Sequence, residues 1–144
     1  PFVLMRGFSL QMIAKGISGN FVNISSGAAR KMRRTAVTYC MSKTALDRMT
    51  KGFALELAEY GIRANCLEPG FASGSAVSSL NQEHIDRVMA AIPLGSKIDP
   101  EDVGQAALYL ASSAAKNITG TSLAVDGGNS AGTMDVYQDK KSAL

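Results

Sequence analysis

The chain has 144 residues, 46% hydrophobic and 19% charged, a globular balance that excludes intrinsic disorder and leaves room for one domain with one core. The net charge of +3 is more than supplied by Arg30, Lys31, Arg33 and Arg34, and only 6% of residues are aromatic, so the pattern is a basic loop and not a nucleic-acid-binding surface. No apolar run reaches the length of a membrane span, and one His (His84) with two separated cysteines (Cys40 and Cys66) assembles no zinc-type ligand set. Sparing use of cysteine fits a reducing compartment, so a cytoplasmic protein is expected.

The first residue is Pro1, and a helical pattern is already running behind it. Leu4, Phe8 and Met12 recur every fourth residue as one stripe of a helix that has no capping residue ahead of it. The chain is therefore expected to be a piece of a longer one. Gly19-Asn20 signals a turn, and the β-prone run 21–25 (Phe-Val-Asn-Ile-Ser) predicts a strand. The basic loop follows, and a long helix is expected over 39–60, with Leu46, Met49, Phe53, Leu57 and Tyr60 on its apolar stripe and Gly61 as its stop.

A second strand is expected over 62–67, ended by Pro69-Gly70. Residues 71–80 are rich in Ser, Gly and Ala and read as a loop, ahead of a short helix over 82–91. Asp99-Pro100-Glu101-Asp102 is a strong helix start: a capping Asp, Pro at the first position, and acids at the positive helix end. Val103, Ala106, Ala107 and Leu110 would bury that helix, and a third strand over 122–125 ends at Asp126-Gly127-Gly128. Residues 131–144 look like a polar tail. Alternating helices and strands predict an α/β fold, part of a doubly wound Rossmann-type parallel sheet with crossover helices. In such sheets ligands sit beyond the carboxyl ends of the strands, at Ser25-Ser26, Pro69-Gly70 and Asp126-Gly127 here.

Tyr39 and Lys43 stand at i and i+4, on one face of the long helix. A free Tyr, with a pKa of about 10, is a poor base at neutral pH, but a cation held beside it stabilises the phenolate and lowers that pKa. Such a Tyr can exchange a proton with a substrate oxygen, and Ser26 offers a hydroxyl for the same oxygen. Alone, Tyr-x-x-x-Lys is a weak signal. A strand-end Ser thirteen residues before the Tyr, together with a Pro-Gly closing the next strand, sharpens it.

In combination, Asn23-Ile24-Ser25-Ser26, Tyr39-x-x-x-Lys43, Gly61-Ile62-Arg63-Ala64-Asn65 with Pro69-Gly70, Asp99-Pro-Glu-Asp-Val103 and Ile118-Thr-Gly120 through Val125-Asp-Gly-Gly128 resemble the classical short-chain dehydrogenase/reductase family over about residues 1–130. The resemblance implies hydride transfer between NAD or NADP and a small-molecule carbonyl or secondary alcohol. Tyr39 would be the acid and base, Lys43 would lower its pKa, and Ser26 would position the substrate oxygen. Cofactor contacts would come from Ile24, Tyr39, Lys43, Pro69, Gly70 and Ala72. It also implies a homodimer or homotetramer built on the first and second long helices, which in the family pack against their copies.

Two features depart from the family. Its frequent carboxamide-binding Thr beyond the Pro-Gly is replaced by Gly74, between Ser73 and Ser75. Its Gly-rich phosphate loop, its Asn-Asn-Ala-Gly strand and its catalytic Asn have no counterpart here, so roughly 110 residues of nucleotide-gripping βαβαβ would precede Pro1. On that view the chain is the carboxyl-terminal part of a single domain. The alternative is a non-catalytic fragment that acts only in oligomerisation. The basic loop borders the expected substrate pocket and would either grip an anionic substrate or stand solvated.

Overall fold

A computed structural model describes residues 1–72 and 81–134. In chain order it contains α1 (Phe2–Ala14), β1 (Asn20–Ile24), a single 3-10 turn (Gly27–Ala29), α2 (Val37–Leu57) extended by a 3-10 turn to Tyr60, β2 (Arg63–Pro69), α3 (Gln82–Ala90), α4 (Pro100–Ala111), a 3-10 turn (Ser113–Ala115) and β3 (Ser122–Val125). The three strands form one parallel sheet in the order β1-β2-β3, with Ile24 beside Leu67 and Pro69 beside Val125. The expected α/β class and element order are both present.

Opposite faces of β2 organise the two halves of the core. On one face Ala64 packs with Met5 of α1 and Ala54 of α2, joined by Phe21, Met49 and Phe53. On the other, Leu67 packs with Leu110 of α4 and Ala115, joined by Val22, Val103, Ala106, Ala107 and Leu123. Helices thus cover both faces, and Ala64 through Glu68 are all buried, as the central strand of a doubly covered parallel sheet requires. The polar member Asn65 is satisfied from the link into β3: its amide donates to the Ile118 carbonyl at 2.9 Å and its oxygen accepts from the Thr121 N–H at 3.1 Å. At the start of α4, Asp99 and Asp102 form a reciprocal capping box with Pro100 in the first turn.

The structure corrects two local expectations and selects the packed row of α1. Leu4 and Phe8 of its apolar stripe are exposed, and the buried row is Met5 and Ser9, whose hydroxyl donates to the Met5 carbonyl. Because α1 is apolar on several sides, with Val3 and Leu10 exposed as well, periodicity alone could not select the packed row. Helix α2 begins at Val37 and not at Tyr39, which places Tyr39 inside its first turn.

Strand β2 runs through Pro69 instead of stopping before it. Cys66 and Gly70 donate their N–H groups toward the β3 side, to Thr121 and Val125, so Pro69 turns its nitrogen toward β1. There the ladder has already ended opposite Leu67, so the missing N–H interrupts no pairing between β1 and β2. The segment 73–80, with Ser73, Gly74 and Ser75, and most of the polar tail (135–144) lie outside the described residues. Among the described residues, no helix is long and apolar enough to cross a membrane.

Leu110 is 1% exposed at the centre of the α4 face. Leu110→Ala should therefore destabilise the protein by about 2–5 kcal/mol, through lost burial and the cavity left behind. An unfolding free energy from denaturant titration within about 0.5 kcal/mol of wild type would show that this face carries no core.

Candidate functional site

Parallel strands end on one side of the sheet, and Ile24, Ser26, Tyr39, Lys43, Pro69, Gly70 and Ala72 lie at that end. Gly19 and Ser25 exchange backbone hydrogen bonds with β2, which turns Ile24 between them to the outer edge of β1. The chain then leaves the sheet through Ser25, whose N–H donates to the Leu67 carbonyl at 2.7 Å. Ser26 is extended (φ −167°, ψ 155°) and caps the 3-10 turn, its Oγ accepting from the Ala28 N–H at 3.2 Å. The Ser26 oxygen is engaged by the backbone while its hydrogen is left to donate.

Helix α2 delivers the other two groups. Lys43 Nζ donates to the Ile24 carbonyl at 2.9 Å and stands 5.8 Å from the centroid of the Tyr39 ring. Tyr39 is 47% exposed, while its neighbour Cys40 is fully buried. Two further bonds lock the helix to the strand end: Thr44 Oγ1 donates to the Ala29 carbonyl at 3.0 Å, and Ser25 Oγ donates to the Lys43 carbonyl at 3.4 Å. Tyr39 and Lys43 are thus brought together by side-chain contact. Ser26 is brought alongside by the turn, and no hydrogen bond joins it to Tyr39 among the described residues.

Pro69, Gly70 and Ala72 follow β2 on the neighbouring strand end. Gly70 donates to the Val125 carbonyl at 2.8 Å, and a Cβ on it would come 2.6 Å from Asp126 Cα, so only glycine fits. Phe71 accepts from the Ile98 N–H at 3.0 Å. Beyond β3, the Asp126 carboxylate accepts from the N–H groups of Gly128 and Ser130 at 2.9 and 2.8 Å. Its oxygens are used to shape the turn, and the strand-end position of Asp126 is structural.

Sequence reading missed a second polar cluster. Arg30 does not join the solvated loop or reach outward: its Nε donates to Glu68 at 2.6 Å and its Nη2 to the Ser122 carbonyl at 3.1 Å. Lys51 pairs with Asp47 at 2.8 Å, and Asp47 also accepts from the Ser122 hydroxyl. These groups line an open cleft of about 430 Å³ on the α2 side of β2 and β3. The overlooked signal was Glu68, a charged residue in a strand buried on both faces, which demands a cation from elsewhere in the chain. Burial pushes the Asp47 carboxyl up, but hydrogen bonds from Lys51 and Ser122 and the charges of Lys51 and Arg30 outweigh it and hold the group below its ordinary 3.8. Burial, with the nearby charges of Asp47 and Glu68, pushes the Cys66 thiol up against the opposing hydrogen bond with Thr50.

With this geometry in view, comparison with known proteins places the chain. The family model for enoyl-(acyl carrier protein) reductases matches residues 1–130. The chain belongs to the short-chain dehydrogenase/reductase family, and its sheet is part of that family's Rossmann-type fold. It is 39% identical over 127 residues to a 3-oxoacyl-[acyl-carrier-protein] reductase of Rickettsia prowazekii, covering 88% of this chain and 52% of the relative. It is 33% identical over 127 residues to the human (3R)-3-hydroxyacyl-CoA dehydrogenase, covering 88% and 49%. A Beutenbergia cavernae protein assigned as an NAD(P)-dependent gluconate 5-dehydrogenase, solved with NADP at low occupancy, superimposes with a TM-score of 0.87 at 37% identity, covering 91% of this chain and 53% of that one. The chain spans about half the length of the curated relatives it matches.

Because Asp47 has a folded value below its unfolded one, its contribution to stability is complete above the ordinary carboxylate value and is lost as pH falls through the folded value. Asp47→Asn should flatten the acid limb, shrinking the drop in unfolding midpoint between about pH 5 and about pH 2. An acid limb as steep as that of wild type would contradict the pairing.

Proposed function

We propose that the protein carrying this chain is an NAD(P)-dependent oxidoreductase acting on a carbonyl or secondary alcohol. The observation that supports it most is the Lys43 ammonium, held on the Ile24 carbonyl beside Tyr39 at the carboxyl edge of the sheet. The donor set fits the nicotinamide end of NAD or NADP. Lys43 has three N–H donors and gives one to Ile24, which leaves two for sugar hydroxyls. Ile24, Tyr39, Lys43, Pro69, Gly70 and Ala72 would hold that end. When bound, the nicotinamide supplies or accepts the hydride.

The chain's own groups handle the oxygen. In the reducing direction Ser26 donates its hydrogen to the carbonyl oxygen and so polarises the carbon. Tyr39 then gives its proton to the same oxygen as negative charge develops there, and takes a proton back in the oxidising direction. Lys43 stabilises the phenolate left behind. The substrates in the relatives' names, 3-oxoacyl and hydroxyacyl compounds and gluconate, support the carbonyl and alcohol class. Exposed apolar residues on α1 (Val3, Leu4, Phe8 and Leu10) and on α2 (Met41 and Leu55) support assembly into a homodimer or homotetramer.

That apolar surface also favours a second reading, an assembly element without catalysis. A native protein that turns over no carbonyl or alcohol and leaves NADH and NADPH fluorescence unchanged would select it. On the leading proposal, Tyr39→Phe should lower kcat by about 10²–10⁴-fold while NAD(P)H binding, followed by fluorescence, is retained. Ser26→Ala should also lower kcat, since it removes the donor to the substrate oxygen. Wild-type turnover in Tyr39→Phe would overturn the assignment of the acid.

A further inference from the structure

The geometry points to Arg30 and Glu68 as a positioning pair that sets the Ser26 turn against the ends of β2 and β3, an inference that rests on the catalytic proposal for Ser26. Arg30 closes the 3-10 turn: its N–H donates to the Gly27 carbonyl at 3.2 Å, and the Ser26 carbonyl accepts from Ala29 at 2.9 Å. Four residues after Ser26, its guanidinium crosses to two other strands at once, binding the Glu68 carboxylate and the Ser122 carbonyl. Glu68 is 1% exposed and immediately precedes Pro69-Gly70. One ion pair therefore joins the turn carrying Ser26 to the segment proposed to hold the cofactor.

The turn is held on α2 by the burial of Ala28 and by the Thr44 hydroxyl on the Ala29 carbonyl, and its own backbone bonds are local. Among the described residues, the Arg30 side chain is what links it across to β2 and β3. Lys51, the other cation lining the cleft, is engaged by Asp47. If Arg30 is lost, the buried Glu68 keeps no cationic partner among the described residues, and the turn loses its side-chain link to β2 and β3. A hydroxyl displaced by a fraction of an ångström no longer meets the substrate oxygen, and such misplacement is read in kcat.

The test uses the native protein and four forms of it: wild type, Arg30→Met, Arg30→Lys and the double variant Arg30→Met/Glu68→Leu. The double variant removes the orphaned carboxylate, so it keeps a folded protein in hand if Arg30→Met does not fold. Two readouts are taken together: kcat and KM for cofactor-dependent turnover, and amide hydrogen exchange of a peptide spanning residues 25–32. Arg30→Met and the double variant should each lose about tenfold or more in kcat, with cofactor KM within about threefold of wild type. In both, exchange should rise about tenfold in that peptide and not in α4. Arg30→Lys, which keeps the charge but not the fork, should fall between them and wild type.

A double variant with wild-type kcat overturns the inference, as does a fall in kcat without faster exchange at the turn. Faster exchange spread over the whole chain in both Met variants also overturns it, because the pair is then merely structural. If wild type shows no turnover, the catalytic proposal fails by itself, and exchange at the turn alone decides whether the pair holds it.

Discussion

The hydrogen bond from Lys43 Nζ to the Ile24 carbonyl is the constraint on which the site depends. It joins the second turn of α2 to the last residue of β1, and it is available only because Ile24 ends an outer strand edge. The neighbours Gly19 and Ser25 use their backbone groups to pair with β2, which leaves the Ile24 carbonyl pointing away from the ladder. A charged donor on a carbonyl is worth about 1.5–3 kcal/mol, enough to hold a long side chain against its rotamer entropy. With the ammonium fixed there, helical periodicity places Tyr39 one turn back on the same face, near the cation and still open to solvent.

The same sheet end is shaped by polar groups that the core satisfies internally. Among the described residues, every buried side-chain nitrogen and oxygen has a hydrogen-bond partner. On β2, Asn65 serves the link into β3 and Glu68 holds Arg30, so the central strand addresses opposite faces with alternate side chains. Gly70 and Asp126 finish the arrangement by letting the ends of β2 and β3 approach more closely than any Cβ would allow. The Lys43 ammonium and Ser26 thus meet the sheet at the end of β1, with Tyr39 half-exposed beside them.

Much of this was legible from residue order. The capping signal at Asp99, the β-prone runs around Val22 and Leu123, and the i, i+4 spacing of Tyr39 and Lys43 each express one local rule, and local rules survive into the fold. What stayed hidden depended on partners distant in sequence. Which row of α1 packs is decided by α2 and the sheet, and Leu4 and Met5 look equally suitable until those neighbours exist. Arg30 sits in a run of four cations that reads as one loop, and only the burial of Glu68, 38 positions away, separates it from Arg33 and Arg34. Strand β2 outran its expected end because the harm a proline does depends on which edge its nitrogen faces, a property of sheet order.

The central claim is that Lys43, fixed on Ile24, and Tyr39 beside it form the edge against which a nicotinamide sugar rests. A crystal structure of the native protein with NADP bound tests this most directly. The expected result is a ribose hydroxyl within about 3.2 Å of Lys43 Nζ, with the Ile24 contact intact and the nicotinamide next to Pro69-Gly70. A dinucleotide bound away from this strand end, or a Lys43 that has left Ile24 for solvent, would contradict it.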